Sequence, residues 1–95
     1  MVVGVAKLIL RLPGNQSLKG KRKVIKSISE RLRQRFNLAV AETDVQDVWQ
    51  TAELGIVAVG NQTSYIDSKL DKAINFVEDM QIAEIVDIKR ELIHF

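Results

Sequence analysis

Residues 17–36, SLKGKRKVIKSISERLRQRF, hold eight of the chain's fourteen Lys and Arg residues and a single acid, Glu30. Set on a helix at about 100° per residue, Lys19, Arg22, Lys23, Lys26 and Arg33 fall in one stripe down a flank. Arg31 and Arg35 border the other side of the apolar row formed by Val24, Ile25, Ile28, Leu32 and Phe36. Lys21 falls inside that row, so its ammonium must snorkel or the residue must lie outside the regular helix. An ordinary wet helix face mixes signs and gains from Glu–Lys pairs four residues apart. Crowded bases with almost no acid oppose helix formation, and a polyanionic partner accounts for the pattern. Ammonium and guanidinium groups along one flank suit a phosphate backbone, which they read as charge and not as sequence. The candidate RNA-binding residues are therefore Lys19, Lys21, Arg22, Lys23, Lys26, Arg31, Arg33 and Arg35. The bland reading of the same residues is a solvated face.

The other reactive residue types give less. With no cysteine, disulfides, thiolate chemistry and cysteine-based zinc sites are excluded. His94, the only histidine, lies in a C-terminal tail and has no orienting partner in the pattern, which makes it a poor general base. Glu42, Asp44 and Asp47 could offer oxygen ligands to a hard cation, but no spacing selects a metal, so a solvated loop is expected. LPGNQS, residues 12–17, reads as a turn followed by a helix cap. It lacks the Walker pattern and the Gly-Val-x-Phe-Arg signature of acylphosphatases. Trp49, the sole tryptophan, is expected to pack in the core or at a hinge, with a partner contact as the lesser reading. No catalytic residue, metal or cofactor is assigned, and the chain reads as a non-enzyme.

The elements that position these residues follow from hydrophobic period. VVGVAKLILRL, residues 2–12, is a strand whose even positions are apolar and whose odd positions mix Lys7 and Arg11 with Val3, Val5 and Ile9. Ser17 is a plausible N-cap for the basic helix, and Asn37 a stop. LAVAETD, residues 38–44, and residues 49–59 read as two strands joined by VQD. Ile66, Leu70, Ala73, Ile74 and Val77 recur at helical spacing within residues 63–80. AEIVDIKRELI, residues 83–93, reads as a last strand. The order β-α-β-β-α-β predicts one α+β domain over residues 1–95. Its form is a ferredoxin-like sandwich, a four-stranded antiparallel sheet with both helices on one face.

Leu12-Pro13, Ser17-Leu18-Lys19, Lys21-Arg22, Arg31-Leu32-Arg33, Phe36-Asn37, Ala41-Glu42, Asp44, Asp47, Trp49-Gln50 and Leu54-Gly55 together resemble the YlxP-like family of small bacterial proteins of unknown function. The resemblance covers essentially the whole chain. It implies the same ferredoxin-like fold, and cytoplasmic work near RNA or the ribosome, because genes of the family often neighbour those of translation initiation and ribosome maturation. It brings no catalytic residues. Members of the family typically carry Glu where this chain has Gly20, completing a capping box with the serine. Glycine costs about 1 kcal/mol inside a helix, which predicts a start that frays or shifts towards Lys21.

Charge separates along the chain. Residues 1–36 hold ten bases and one acid, a net +9, whereas residues 37–95 hold four bases and eleven acids, a net −7. Such opposed fields bear on partners more than on fold. No apolar run reaches the roughly 20 residues that span a bilayer, so no membrane association is expected. Reading of bases on the sheet, as in an RRM, is disfavoured because the first strand and LGIVAVG in the third carry no aromatic residue. The half-apolar open face of the sheet, with Val3, Val5 and Ile9 on the first strand and Ile85 among Asp87, Lys89 and Glu91 on the last, gives an alternative partner. On that reading the chain is a homodimeric interaction module using this face and Trp49.

Overall fold

Strict alternation in β1 (Val2–Arg11) decides which side of the sheet is covered. Val2, Gly4, Ala6, Leu8 and Leu10 are buried, while Val3, Val5, Lys7 and Ile9 are half-buried on the other face. The computed structural model describes residues 1–44 and 48–95. After β1 come α1 (Leu18–Arg35), β2 (Ala39–Asp44), β3 (Thr51–Gly60), α2 (Thr63–Met80) and β4 (Glu84–His94). The four strands form one antiparallel sheet in the order β2-β3-β1-β4. The fold is the ferredoxin-like α+β arrangement that the order of elements predicts.

Both helices bury their apolar rows on the same side of this sheet. Ile25, Ile28 and Leu32 of α1 and Ile66, Leu70, Ala73, Ile74 and Val77 of α2 share one cluster with Leu8, Leu10, Leu54 and Ile56. Each fully buried Leu or Ile side chain contributes about 1.5–3 kcal/mol relative to exposure, so this layer fixes the helix orientations. Sheet register fixes the rest. Val3, Val5 and Lys7 of β1 lie opposite Val59, Val57 and Gly55 of β3, and opposite Ile93, Glu91 and Lys89 of β4.

Two expectations are corrected here. Ile85 was assigned to the open face with Asp87, but the ladder slips by one residue between Ile9 and Leu10. Asp87 pairs with Ile9 and Ile85 pairs with Leu10, which leaves Val86 as the extra residue of a bulge and turns Ile85 to the helix side. The start of α1 does not shift towards Lys21. The helix begins at Leu18, and Ser17 Oγ accepts the Gly20 N–H at 3.0 Å, so the serine caps without a reciprocal carboxylate.

Candidate nucleic-acid interface

The outward side of α1 is built by the same period that builds its core row. Because Ile25, Ile28 and Leu32 take the inner face, Lys19, Arg22, Lys23, Lys26, Arg31, Arg33 and Arg35 are left exposed. Lys19, Lys23 and Lys26 follow the i, i+4, i+7 row of one helix face. Among the described residues, Lys19, Arg22, Lys23 and Arg31 form no ion pair with an acid. Lys26 stands 4.0 Å from Glu30, an exposed pair of little energetic weight. Lys23, Lys26 and Arg31 line one shallow hollow with Ser27, Glu30 and Gln34. This is a cationic surface with its heads free to meet phosphate.

Arg33 and Arg35 also have duties within the fold. Arg33 Nη2 donates to the Val40 carbonyl at 2.5 Å and so ties α1 to β2. Arg35 lies over the Phe76 ring, 5.3 Å from its centroid, and Phe76 meets Phe36 edge-on at 5.7 Å. The guanidinium therefore caps the aromatic joint between the two helices. Both groups remain exposed at the margin of the basic face, not at its centre.

Lys21 leaves the candidate set. Its side chain is 1% exposed, as its place in the apolar row required, and its ammonium stays inside. Nζ donates to the Val48 carbonyl at 2.9 Å and lies 3.0 Å from Glu42 Oε2. The Glu42 approach is a charge contact outside hydrogen-bonding geometry. A buried ammonium needs such compensation, and here it comes from the end of the β2–β3 hairpin. Lys21 is thus a structural tie and offers nothing to phosphate.

That tie belongs to a corner where two loops meet. Asn15 Nδ2 donates to the Trp49 carbonyl at 2.5 Å and to the Ser17 carbonyl at 2.9 Å. The Leu12 N–H donates to the Gln50 carbonyl at 2.9 Å. Residues 48–50 are held through their backbone, yet the Trp49 residue is 52% exposed and Val48 is exposed beside it. Of the expectation that Trp49 packs in the core or at a hinge, the core part is corrected: its carbonyl is anchored, and the residue is about half exposed. Of the acidic cluster, Glu42 is engaged by Lys21 and Asp44 is exposed. Asp47 lies outside the described residues. His94 is exposed at the end of β4.

The open face of the sheet has an apolar end and a charged end. Val57, Val59 and Ile93 are exposed beside Val3 and Val5, while Lys7 pairs with Glu53 at 3.6 Å and Arg11 with Glu84 at 2.6 Å further along. Trp49 precedes Thr51, at the other end of β3 from Val59. At about 3.3 Å per residue Val57 and Val59 lie six and eight steps, roughly 20 and 26 Å, along β3 from Thr51. The two features proposed to form one contact therefore sit at opposite ends of the sheet.

Comparison with known proteins agrees with the resemblance seen in the sequence. Residues 3–90 match the family model described as "Protein of unknown function (DUF503)". Over 62 residues the chain is 36% identical to the "Uncharacterized protein YlxP" of Bacillus subtilis (strain 168), covering 65% of this chain and 67% of that protein. Neither description indicates an enzyme.

Proposed function

We propose that this chain, which belongs to the DUF503 family, is a non-enzymatic accessory protein of the cytoplasm that binds RNA, free or within a ribosomal particle, through the basic face of α1. The observation that carries this reading is the exposed set Lys19, Arg22, Lys23, Lys26 and Arg31, four of them without an acidic partner among the described residues. Off α1, Lys7 is paired with Glu53, Arg11 with Glu84, and Arg90 with Asp67 and Asp71, and the bases without an acidic partner are not gathered on one helix face as they are on α1. Unpaired bases on one helix face are suited to displace counterions from a phosphate backbone, which gives affinity with a strong salt dependence.

The test is binding of a labelled RNA, and of purified ribosomal subunits, over a salt series. With four or five phosphate contacts, log affinity should fall with log salt at a slope of about −3 to −4. Lys23→Glu/Lys26→Glu should weaken binding at least about tenfold and make the slope shallower by about 1.5. The same charge change placed off α1, Lys72→Glu/Lys89→Glu, should alter affinity far less. Absence of binding to RNA and to subunits, or binding indifferent to salt, removes this reading.

A second reading rests on Val57, Val59 and Ile93, which leave an apolar end on the open sheet face. A second copy of the chain is its occupant, related by a two-fold axis through those residues, as self-complementary faces allow. Sedimentation equilibrium tests it: a monomer that Val57→Glu/Val59→Glu leaves unchanged ends the dimer model. Trp49 takes no part in this contact.

A further inference from the structure

We infer that Trp49 is a base-stacking platform set at the head of the basic face, so that the RNA bound carries an unpaired base beside the strand held by α1. This inference rests on the reading of α1 as the phosphate-binding element. Three consecutive carbonyls fix the tryptophan's backbone: Val48 to Lys21 Nζ, Trp49 to Asn15 Nδ2 and Gln50 to the Leu12 N–H. One of those donors is a buried ammonium, a costly group to spend on a loop that only needs to turn. The side chain so presented is half in solvent, and it stacks on no other aromatic ring among the described residues. An exposed indole on a backbone held at three carbonyls has only its own side-chain freedom to lose on binding, which suits a stacking contact.

Its position ties it to the phosphate-binding face. Asn15 holds Trp49 and Ser17 with the same amide nitrogen, so the tryptophan's backbone lies one hydrogen-bonded residue from the start of α1. Gly20 makes this possible, because a Cβ there would collide with Asn15 Oδ1. The glycine that forfeits the capping carboxylate is therefore the residue that lets Asn15 lie against the first turn. From Ser17 to Lys23 the helix rises about 9 Å, so the first bases of α1 start close to the anchored Trp49 backbone. Glu42, the acid engaged at this corner, is offset by Lys21. Lys19, Arg22 and Lys23 favour an anionic ligand, and a nucleobase supplies the π-face that an aromatic ring stacks on. In a closed duplex that face is covered, so the ligand is RNA with a bulge, loop or single-stranded end.

Trp49 is the chain's only tryptophan, so its fluorescence reports the contact directly. The probes are a blunt RNA duplex, the same duplex with one bulged adenosine, and an oligouridylate. The bulged and single-stranded RNAs should quench Trp49, and the blunt duplex should not. Trp49→Ala should weaken the first two about tenfold and leave the duplex unchanged, with Trp49→Phe retaining most of the affinity. Asn15→Ala, which frees the loop while keeping the indole, should lose part of the preference. If Trp49→Ala binds all three RNAs like wild type while Lys23→Glu/Lys26→Glu still abolishes binding, the inference falls and the reading of α1 stands. Equal loss on all three RNAs would make Trp49 structural and overturns the inference as well. Quenching by polyglutamate that competes with RNA assigns the indole to an acidic protein and also overturns it. If no RNA binds to any form, both readings fall.

Discussion

The two helices answer the same packing demand and differ in what they show to solvent. Each is 18 residues long and buries five residues against the sheet. On α2 those five are all apolar, Ile66, Leu70, Ala73, Ile74 and Val77, whereas α1 includes Lys21 and Ser29 among its five. Outwardly α1 has seven bases and one acid, a net +6 with Lys21 buried, and α2 has two bases and four acids, a net −2. The charges of α2 are partly used inside the molecule, since Asp67 and Asp71 both hold Arg90 of β4. Lys19, Arg22, Lys23 and Arg31 of α1 hold no acid among the described residues. A helix that needed only to pack would resemble α2. The surplus on α1 is what calls for a partner, and its polar core position serves the loop carrying Trp49.

The sharpest way to break this contrast is at Lys21. Lys21→Ala leaves Glu42 beside an apolar helix row without that charge, and removing one member of a buried pair costs about 3 kcal/mol. Urea denaturation should show this loss, and Lys21→Met/Glu42→Gln should recover most of it, because with both charges removed neither is left buried without its partner. A loss below about 1 kcal/mol for Lys21→Ala would mean that the ammonium reaches water, and Lys21 would return to the basic face.

Next in size is Arg90→Ala, expected to cost about 1 kcal/mol because a half-exposed guanidinium bridges two carboxylates. Lys26→Ala on α1, which disturbs only a 4.0 Å exposed pair, should be close to neutral by the same measurement. Equal losses would erase the distinction between charges used within the fold and charges held in reserve. Smaller than the loss at Arg90 are the effects at the caps. Ser17→Ala should cost just under 1 kcal/mol, since it removes the acceptor for the Gly20 N–H. Gln62, the N-cap of α2, makes no side-chain cap bond, so Gln62→Asp should gain about 0.5 kcal/mol in thermal unfolding.

Period carries the fold because each element repeats its own rule: alternation places Leu8 and Leu10 inward, and spacings of three and four do the same for Ile28 and Leu32. The basic flank of α1 was legible for the same reason, as the complement of its core row. Features that depend on a distant partner were not. Lys21 could be placed in the apolar row, but its destination is the Val48 carbonyl 27 residues on. Ile85 was misassigned because a bulge changes parity without leaving a mark in the alternation. Trp49 was expected inside because large aromatics usually pack, and only the Asn15 and Lys21 bonds reveal that the backbone is what the fold holds. Gly20 reads as a weakened cap from the sequence because the space it leaves is filled by Asn15, five residues earlier and outside the helix.

The slip at Val86 has a consequence for how copies of this molecule meet. β4 forms one outer edge of the sheet, and an eleven-residue edge strand is a template on which another chain could extend the ladder. A visiting strand would find the hydrogen-bonding groups fall out of step where Val86 intrudes, and the run of matching partners would end there. The other edge, β2, is only six residues long, and Arg33 occupies one of its carbonyls from above. Both borders of the sheet are thereby made poor seeds for strand-by-strand growth.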